Sequence, residues 1–184
     1  MALTESNEFQ IGAFAPDFKL INTIDHTTIQ LSENKGENGT AIFFICNHCP
    51  FVIHINEELV RIANDYKTKG INCIAISSNN VVNYPQDGPV LMKENAEKLQ
   101  YPFPYLYDEK QEVAKAYNAA CTPDLYLFDS DLKCVYHGQL DNSRPGNNIP
   151  ISGKDFRNAI DALIEHNTIL ENQKPSIGCN IKWK

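Results

Sequence analysis

The sequence predicts an α/β protein, with a mixed central β-sheet flanked by helices and an N-terminal β-hairpin as an extension. Three observations carry this. Residues 40–45 are nearly all apolar and β-prone, as expected of a central strand buried on both faces. Beyond them, apolar side chains fall at Val52, Ile55, Leu59, Ile62, Ala63 and Tyr66, the three- and four-residue steps of a helix face. Strand and helix patterns then alternate, and an antiparallel hairpin and a helix close the chain.

The elements follow in order. Residues 1–10 read as a loose arm or a short edge strand. Phe18 and Leu20 alternate, Asp25-His26 suits a turn and 27–31 is β-branched, so the pair reads as a hairpin. Ser32 is placed to cap a short helical turn, and 33–39 is a polar loop. After the strand at 40–45, Pro50 suits the first turn of the helix, where its missing N–H costs nothing, and Gly70 is placed to end it. A strand at 71–77 leads into a long polar loop at 79–88. A helix at 89–99 turns Met92, Ala96 and Leu99 to one face, a short strand covers 103–107, and a short helix at 110–118 points Val113, Ala114 and Tyr117 inward. Residues 124–129 and 133–138 form a hairpin around Asp129-Ser130-Asp131. A Gly/Asn/Pro loop spans 141–150. Ser152-Gly153-Lys154-Asp155 resembles a capping box before a helix that buries Phe156, Ile160, Leu163 and Ile164. Residues 171–184 form a tail. With no repeat and no linker, 1–184 reads as a single domain.

That length suffices for one domain with a full core. A net charge of -7 and three unclustered arginines (Arg61, Arg144 and Arg157) argue against a nucleic-acid partner. The N-terminus lacks the basic and apolar regions of a secretory signal, and no apolar run approaches a membrane span, so a cytoplasmic location without membrane contact is expected. Six cysteines are too few for a disulfide-stapled scaffold. Cys73 and Cys134 lie in apolar runs and are expected to be buried and inert.

The chemistry concentrates in Phe43-Phe44-Ile45-Cys46-Asn47-His48-Cys49-Pro50. Two cysteines separated by two residues sit where a buried strand meets a helix. A thiolate is the nucleophile in disulfide exchange, and the N–H groups and positive end of a helix favour it. Cys46 is therefore expected to be the exposed, low-pKa attacker, with His48 adding positive charge when protonated. Cys49, one turn on, is expected to be more buried and to resolve the mixed disulfide. The alternatives are two structural thiols, or half of a zinc site, for which no second pair of ligands has the right spacing. Thr122-Pro123, just before the 124–129 strand, is a second signal. A proline there can adopt a cis bond and present backbone to the dithiol, or it can simply mark a turn before an edge strand. Cys121 and Cys179 are candidates for additional redox thiols, and whether they pair with each other is not a matter the sequence decides. His54, His137 and His166 read as surface or packing residues. No cofactor is indicated.

On these residues the chain resembles the thioredoxin-fold superfamily, and within it the cytosolic thioredoxin-family proteins of the alkyl hydroperoxide reductase/thiol-specific antioxidant, or peroxiredoxin-like, group. Gly12-Ala13-Phe14-Ala15-Pro16-Asp17-Phe18-Lys19-Leu20, the dithiol segment, and Thr122-Pro123-Asp124-Leu125-Tyr126-Leu127-Phe128-Asp129 carry the resemblance. Asp141-Asn142-Ser143-Arg144-Pro145-Gly146 and Pro175-Ser176-Ile177-Gly178-Cys179-Asn180-Ile181-Lys182-Trp183 resemble the group's late motifs. The resemblance implies Cys46 as nucleophile, Cys49 as resolving thiol and Pro123 as the cis-proline that orients a partner. The implied partners are a protein or small-molecule disulfide, or a peroxide, and an unidentified thiol reductant.

The chain departs from both patterns. Ile45 stands where a thioredoxin has Trp, and the strand lacks the buried acid that a thioredoxin keeps there. Cys49-Pro50 falls at the peroxidatic position of a peroxiredoxin, with Cys46 in the place of its threonine. A peroxidase needs an arginine against that thiolate. Arg61 lies roughly 18 Å along the helix and Arg157 is expected on the C-terminal helix, which leaves Arg144. Three functions are therefore open: a thiol–disulfide oxidoreductase, a thiol peroxidase using Cys49, and a metal-binding or metal-delivery module using Cys46, Cys49 and a histidine.

Overall fold

The computed structural model describes residues 3–167 and 173–184. Met1, Ala2 and residues 168–172, including Glu171 where the tail is expected to begin, lie outside the described residues.

The middle of the central sheet is β4 (Gly39–Phe44), buried at every position. On one side it pairs in parallel with β5 (Ile71–Ser77), which pairs in parallel with β6 (Tyr105–Tyr107). On the other side it runs antiparallel to β8 (Asp124–Asp129), which forms a hairpin with β9 (Cys134–Gly138). The alternation of β4 splits the core in two. Ala41, Phe43 and Ile45 pack under α1 (Pro50–Lys67), α2 (Pro89–Lys98) and α4 (Lys154–Ile164). Ile42 and Phe44 face Ala114 of α3 (Glu112–Ala116), Tyr117, and residues around the hairpin β2 (Lys19–Ile21) and β3 (Thr28–Gln30). This is a thioredoxin-like arrangement, as the resemblance implies.

The two ends of the chain meet. The arm supplies β1 (Leu3–Glu5) and the tail supplies β10 (Ile177–Asn180), which lies between β1 and the short strand β7 (Cys121–Thr122) in an antiparallel three-stranded sheet. The arm is thus an edge strand, and the tail leads back to the segment before Pro123.

Two local expectations are corrected. No capping box forms before α4. Its N-cap is Gly153 at φ 64 with no side-chain cap, and Asp141 Oδ2 accepts from the Ser152 and Gly153 N–H groups instead. A Cβ at Gly153 would also stand 2.8 Å from Glu58 Oε1. The helix expected over 110–118 is shortened to Glu112–Ala116, because Gln111 (φ 61) and Asn118 (φ 53) adopt left-handed backbone at its two ends. The loop at 79–88 contains one 3-10 turn, Pro85–Asp87, and that turn reaches the thiols.

Candidate active site

β4 ends at Phe44, and Cys46, Asn47 and His48 bridge the gap to Cys49, the N-cap residue of α1. Pro50 occupies the first helical position, as expected. This spacing corrects which of the two thiols is held at low pKa. The helix N-terminus acts on Cys49, not on Cys46. The Val52 N–H, the Cys46 and Cys179 thiols and the Cys179 backbone all favour a thiolate at Cys49, the Cys46 thiol most strongly, and together with it they lower the Cys49 pKa to about 5 despite burial. Cys46 is driven well up, because it donates to Cys49, is desolvated and feels the Asp87 carboxylate. Nor is it exposed: Cys46 is 2% accessible and Cys49 0%.

The Thr122-Pro123 peptide is cis, and Thr122 meets both thiols. Cys46 Sγ lies 3.4 Å from Thr122 Oγ1, and Cys49 Sγ lies 3.1 Å from the Thr122 carbonyl oxygen. The carbonyl contact suits a protonated Cys49, but the donors around that sulfur outweigh it.

The acid missing from the strand is supplied by Asp87, a fully buried residue that sequence reasoning passed over in a polar loop. Its Oδ2 pairs with His48 Nδ1 at 2.6 Å and accepts from Asn79 Nδ2 at 2.8 Å. Its Oδ1 accepts from the N–H groups of Asn47 (2.8 Å) and His48 (3.3 Å). The His48 ring stacks on Tyr84, with centroids 5.2 Å apart, and Lys182 Nζ lies 5.5 Å from the centroid of the Tyr84 ring. His48 Nε2 is buried, with no hydrogen-bond partner among the described residues. Asn47 is fixed as well, donating to Gln86 O and accepting from Asn95 Nδ2 and Tyr105 OH.

One donor atom from each of Cys46, His48 and Asp87 falls within 4.8 Å of the others, a spacing that a metal ion could use. The metal expectation named Cys49 rather than Asp87. The Asp87 carboxylate already accepts four hydrogen bonds, two on each oxygen, so an ion would have to displace one of them. The geometry fits a hydrogen-bonded His48–Asp87 pair beside Cys46 better than a cation site.

Other candidates separate from the thiols. Arg144 donates to the carbonyl oxygens of Asp141 and Ser143 and to Gln139 Oε1. It lines a shallow cleft of about 20 Å³ with Pro123, Phe51 and Ile177. Among the described residues no arginine donates to Cys46 or Cys49, because Arg61 and Arg157 both engage Glu58. Cys121 Sγ points to Pro123 O (3.5 Å) and Ser176 O (4.0 Å), so the open pairing of Cys121 with Cys179 is not the one the fold brings together. Cys179 instead touches Cys49, Sγ to Sγ 2.8 Å. Cys73 and Cys134 are buried thiols pushed up to about 12 by desolvation, in keeping with an inert role. His137 is a packing residue as expected, bonded to buried Asp124 at 2.9 Å and stacked on Tyr126. A cavity of about 700 Å³ beside Phe18, Leu20 and Tyr107 is lined by no cysteine.

A strand–dithiol–helix unit opposed by a cis-proline loop defines the thioredoxin-like class. The comparisons with known proteins narrow this. The AhpC/TSA family model matches residues 11–137, and the chain belongs to that family. A crystal structure of an uncharacterized conserved protein from Geobacillus kaustophilus is 60% identical, with a TM-score of 0.98, over 100% of this chain and 97% of that one. The thiol-disulfide oxidoreductase ResA of Geobacillus kaustophilus (strain HTA426) is 28% identical over 130 residues, covering 70% of this chain and 68% of the relative. The thioredoxin domain of a Bacteroides vulgatus thiol-disulfide oxidoreductase shares the fold, with a TM-score of 0.60 and 19% identity over 71% of this chain and 89% of that one.

Proposed function

We propose that the protein is a thiol–disulfide oxidoreductase whose redox couple is Cys46–Cys49. The general class is supported by the family and by the ResA relative. The observation that carries the assignment to these residues is the shared contact with Thr122, which sets both sulfurs against the cis-proline loop at 3.4 Å and 3.1 Å.

In this reading Cys46 attacks a partner disulfide and Cys49 resolves it. The two thiols differ in how they lose their protons. Cys49 is already ionised above pH of about 5, so it is ready when resolution is required. Cys46 keeps its proton at rest and gives it up as it attacks. We assign the acceptor role to His48, one ring nitrogen of which lies within 4.8 Å of the Cys46 sulfur, with Asp87 at 2.6 Å from Nδ1 to orient the ring. Once His48 is protonated, the imidazolium offsets the Asp87 charge that opposes a Cys46 thiolate. Electrons pass from the dithiol to the partner disulfide, and a thiol reductant restores the pair.

In the trapping experiment, Cys49→Ser captures a partner disulfide on Cys46 as a stable mixed disulfide, and Cys46→Ser, in which Cys179 stands 2.8 Å from Cys49 and can resolve any adduct there, accumulates none. Full activity in Cys46→Ser would overturn this order of attack. One observation favours a second reading. A low-pKa thiol at Cys49-Pro50 suits a peroxidase, yet Cys49 is fully buried and no arginine faces it among the described residues. Rapid peroxide consumption abolished by both Cys49→Ser and Arg144→Ala would favour that reading over disulfide exchange.

A further inference from the structure

Three thiols converge at this site, and the third arrives from the far end of the chain. β10 runs antiparallel to β7 with Cys179 opposite Thr122 and Asn180 opposite Cys121. That register turns the Cys179 side chain onto Cys49 while Cys121 faces the carbonyls of Pro123 and Ser176. The close approach depends on Gly178. A Cβ at that position would stand 2.0 Å from the Thr122 carbonyl oxygen and 2.7 Å from its carbon, so only glycine lets the strand lie this close to the cis-proline loop. On its outer edge β10 is held by β1, with Leu3 opposite Cys179, and beyond it the Lys182 N–H binds Asn79 Oδ1 at 2.8 Å. Cys179 is therefore fixed from both sides, with its sulfur 2.8 Å from that of Cys49.

We propose that Cys179 is a third redox thiol of this site, to which Cys49 passes the disulfide it first forms with Cys46. The proposal rests on the disulfide-exchange reading above. The step is an internal exchange. Cys179 Sγ, as a thiolate, attacks Cys49 Sγ, and a Cys49–Cys179 bond forms. The Cys46–Cys49 bond breaks with its electron pair on Cys46, which takes up the proton that Cys179 released. No electron is gained or lost in this step. The oxidising equivalent came earlier from the partner disulfide, which left as two thiols. The consequence concerns Cys46: the protein stays oxidised by two electrons while Cys46 returns to the thiol form beside His48 and Asp87. It can then enter a mixed disulfide with another partner before any reductant has acted.

The test uses the full-length wild-type chain and its Cys46→Ser, Cys179→Ser and Cys121→Ser variants. Each is reduced, exposed to oxidised glutathione, unfolded in an alkylating reagent and mapped by peptide mass spectrometry. The expected result is that Cys46→Ser still loses two alkylatable thiols and yields a peptide pair cross-linked through Cys49 and Cys179. Cys179→Ser yields only the Cys46–Cys49 pair, and Cys121→Ser behaves as wild type. If the Cys46→Ser variant misfolds, oxidised wild type decides: a population of Cys49–Cys179 peptides supports the proposal, and their complete absence overturns it. Should wild type form Cys46–Cys49 while folded Cys46→Ser carries only a glutathione adduct, with Cys179 fully alkylated, the third-thiol proposal fails and the dithiol reading stands. Should wild type form no internal disulfide, both fail together.

Discussion

Cys49 is the N-cap of α1, where the Cys46 thiol first, and then the Cys179 thiol and the Val52 N–H, favour its thiolate. Its thiol titrates near pH 5, whereas an unfolded cysteine titrates at roughly 8.5. The folded pKa is depressed, so the stabilisation is fully present above the unfolded value and is lost as pH falls through about 5. Cys46, Cys73 and Cys134 are raised, so the native state of the reduced protein holds protons there that the unfolded chain releases, and stability declines again above the unfolded thiol range. Chemical denaturation of the reduced protein as a function of pH should show this rise and fall. Thiolate ultraviolet absorbance should titrate near pH 5 in wild type and vanish there in Cys49→Ser. Cys46→Ala should raise that midpoint, because it removes the largest cause, while Cys46→Ser, which keeps a donor, should raise it less. The dithiol itself was legible from two cysteines between a buried strand and a helix. The proton distribution was not, because it depends on whether the helix starts at residue 47 or at residue 50. Asp87 was not legible either: its backbone turn is separated from His48 by all of α1 and β5, and nothing local marks an aspartate in a polar loop as buried.

At the scale of elements, the tail and the loop at 79–88 form one support. The Lys182 N–H donates to Asn79 Oδ1, Asn79 Nδ2 donates to Asp87, and Asp87 orients His48. Asp87→Ala leaves the buried N–H groups of Asn47 and the amide of Asn79 without their acceptor. A loss of about 1–3 kcal/mol in denaturant unfolding is expected for the unsatisfied donors, and the rate of attack by Cys46 should fall. An unchanged rate would remove the Asp87–His48 pair from the proton path. Gly178→Ala drives β10 from the Thr122 carbonyl, with an expected cost of about 1–3 kcal/mol and a slower Cys49–Cys179 exchange. β10 was hidden in the sequence because Pro175-Ser176-Ile177-Gly178-Cys179-Asn180 has neither period 2 nor period 3.6. Its placement comes from the pairing with β7 and from a glycine whose role is the approach of two backbones. The helix at 50–67 was legible because eight of its residues are buried on one face.

Across the whole molecule, β4 divides the core and brings the dithiol and the cis-proline loop to the same end of the sheet. Phe44 pairs with Asp124, one residue past Pro123, so the register of β4 with β8 sets Thr122 beside Cys46. The fold class was legible because this order follows from one fully buried strand and the alternation after it. Leu59 is fully buried in the layer between α1 and the sheet, and Leu59→Ala should cost about 2–5 kcal/mol in denaturant unfolding. The redox midpoint of that variant should stay near wild type, since Leu59 touches neither sulfur in any bond described above. The central claim is that Cys46 and Cys49 form one two-electron couple. It is tested most directly by equilibrating the protein across a series of reduced-to-oxidised glutathione ratios, trapping thiols by alkylation and locating the disulfide by mass spectrometry. In the Cys179→Ser variant, which cannot pass the disulfide on, a single transition with a slope of about 30 mV per tenfold change, in which Cys46 is lost together with Cys49, is the predicted result. A protein whose Cys46 and Cys49 both remain alkylatable across the whole range would contradict it.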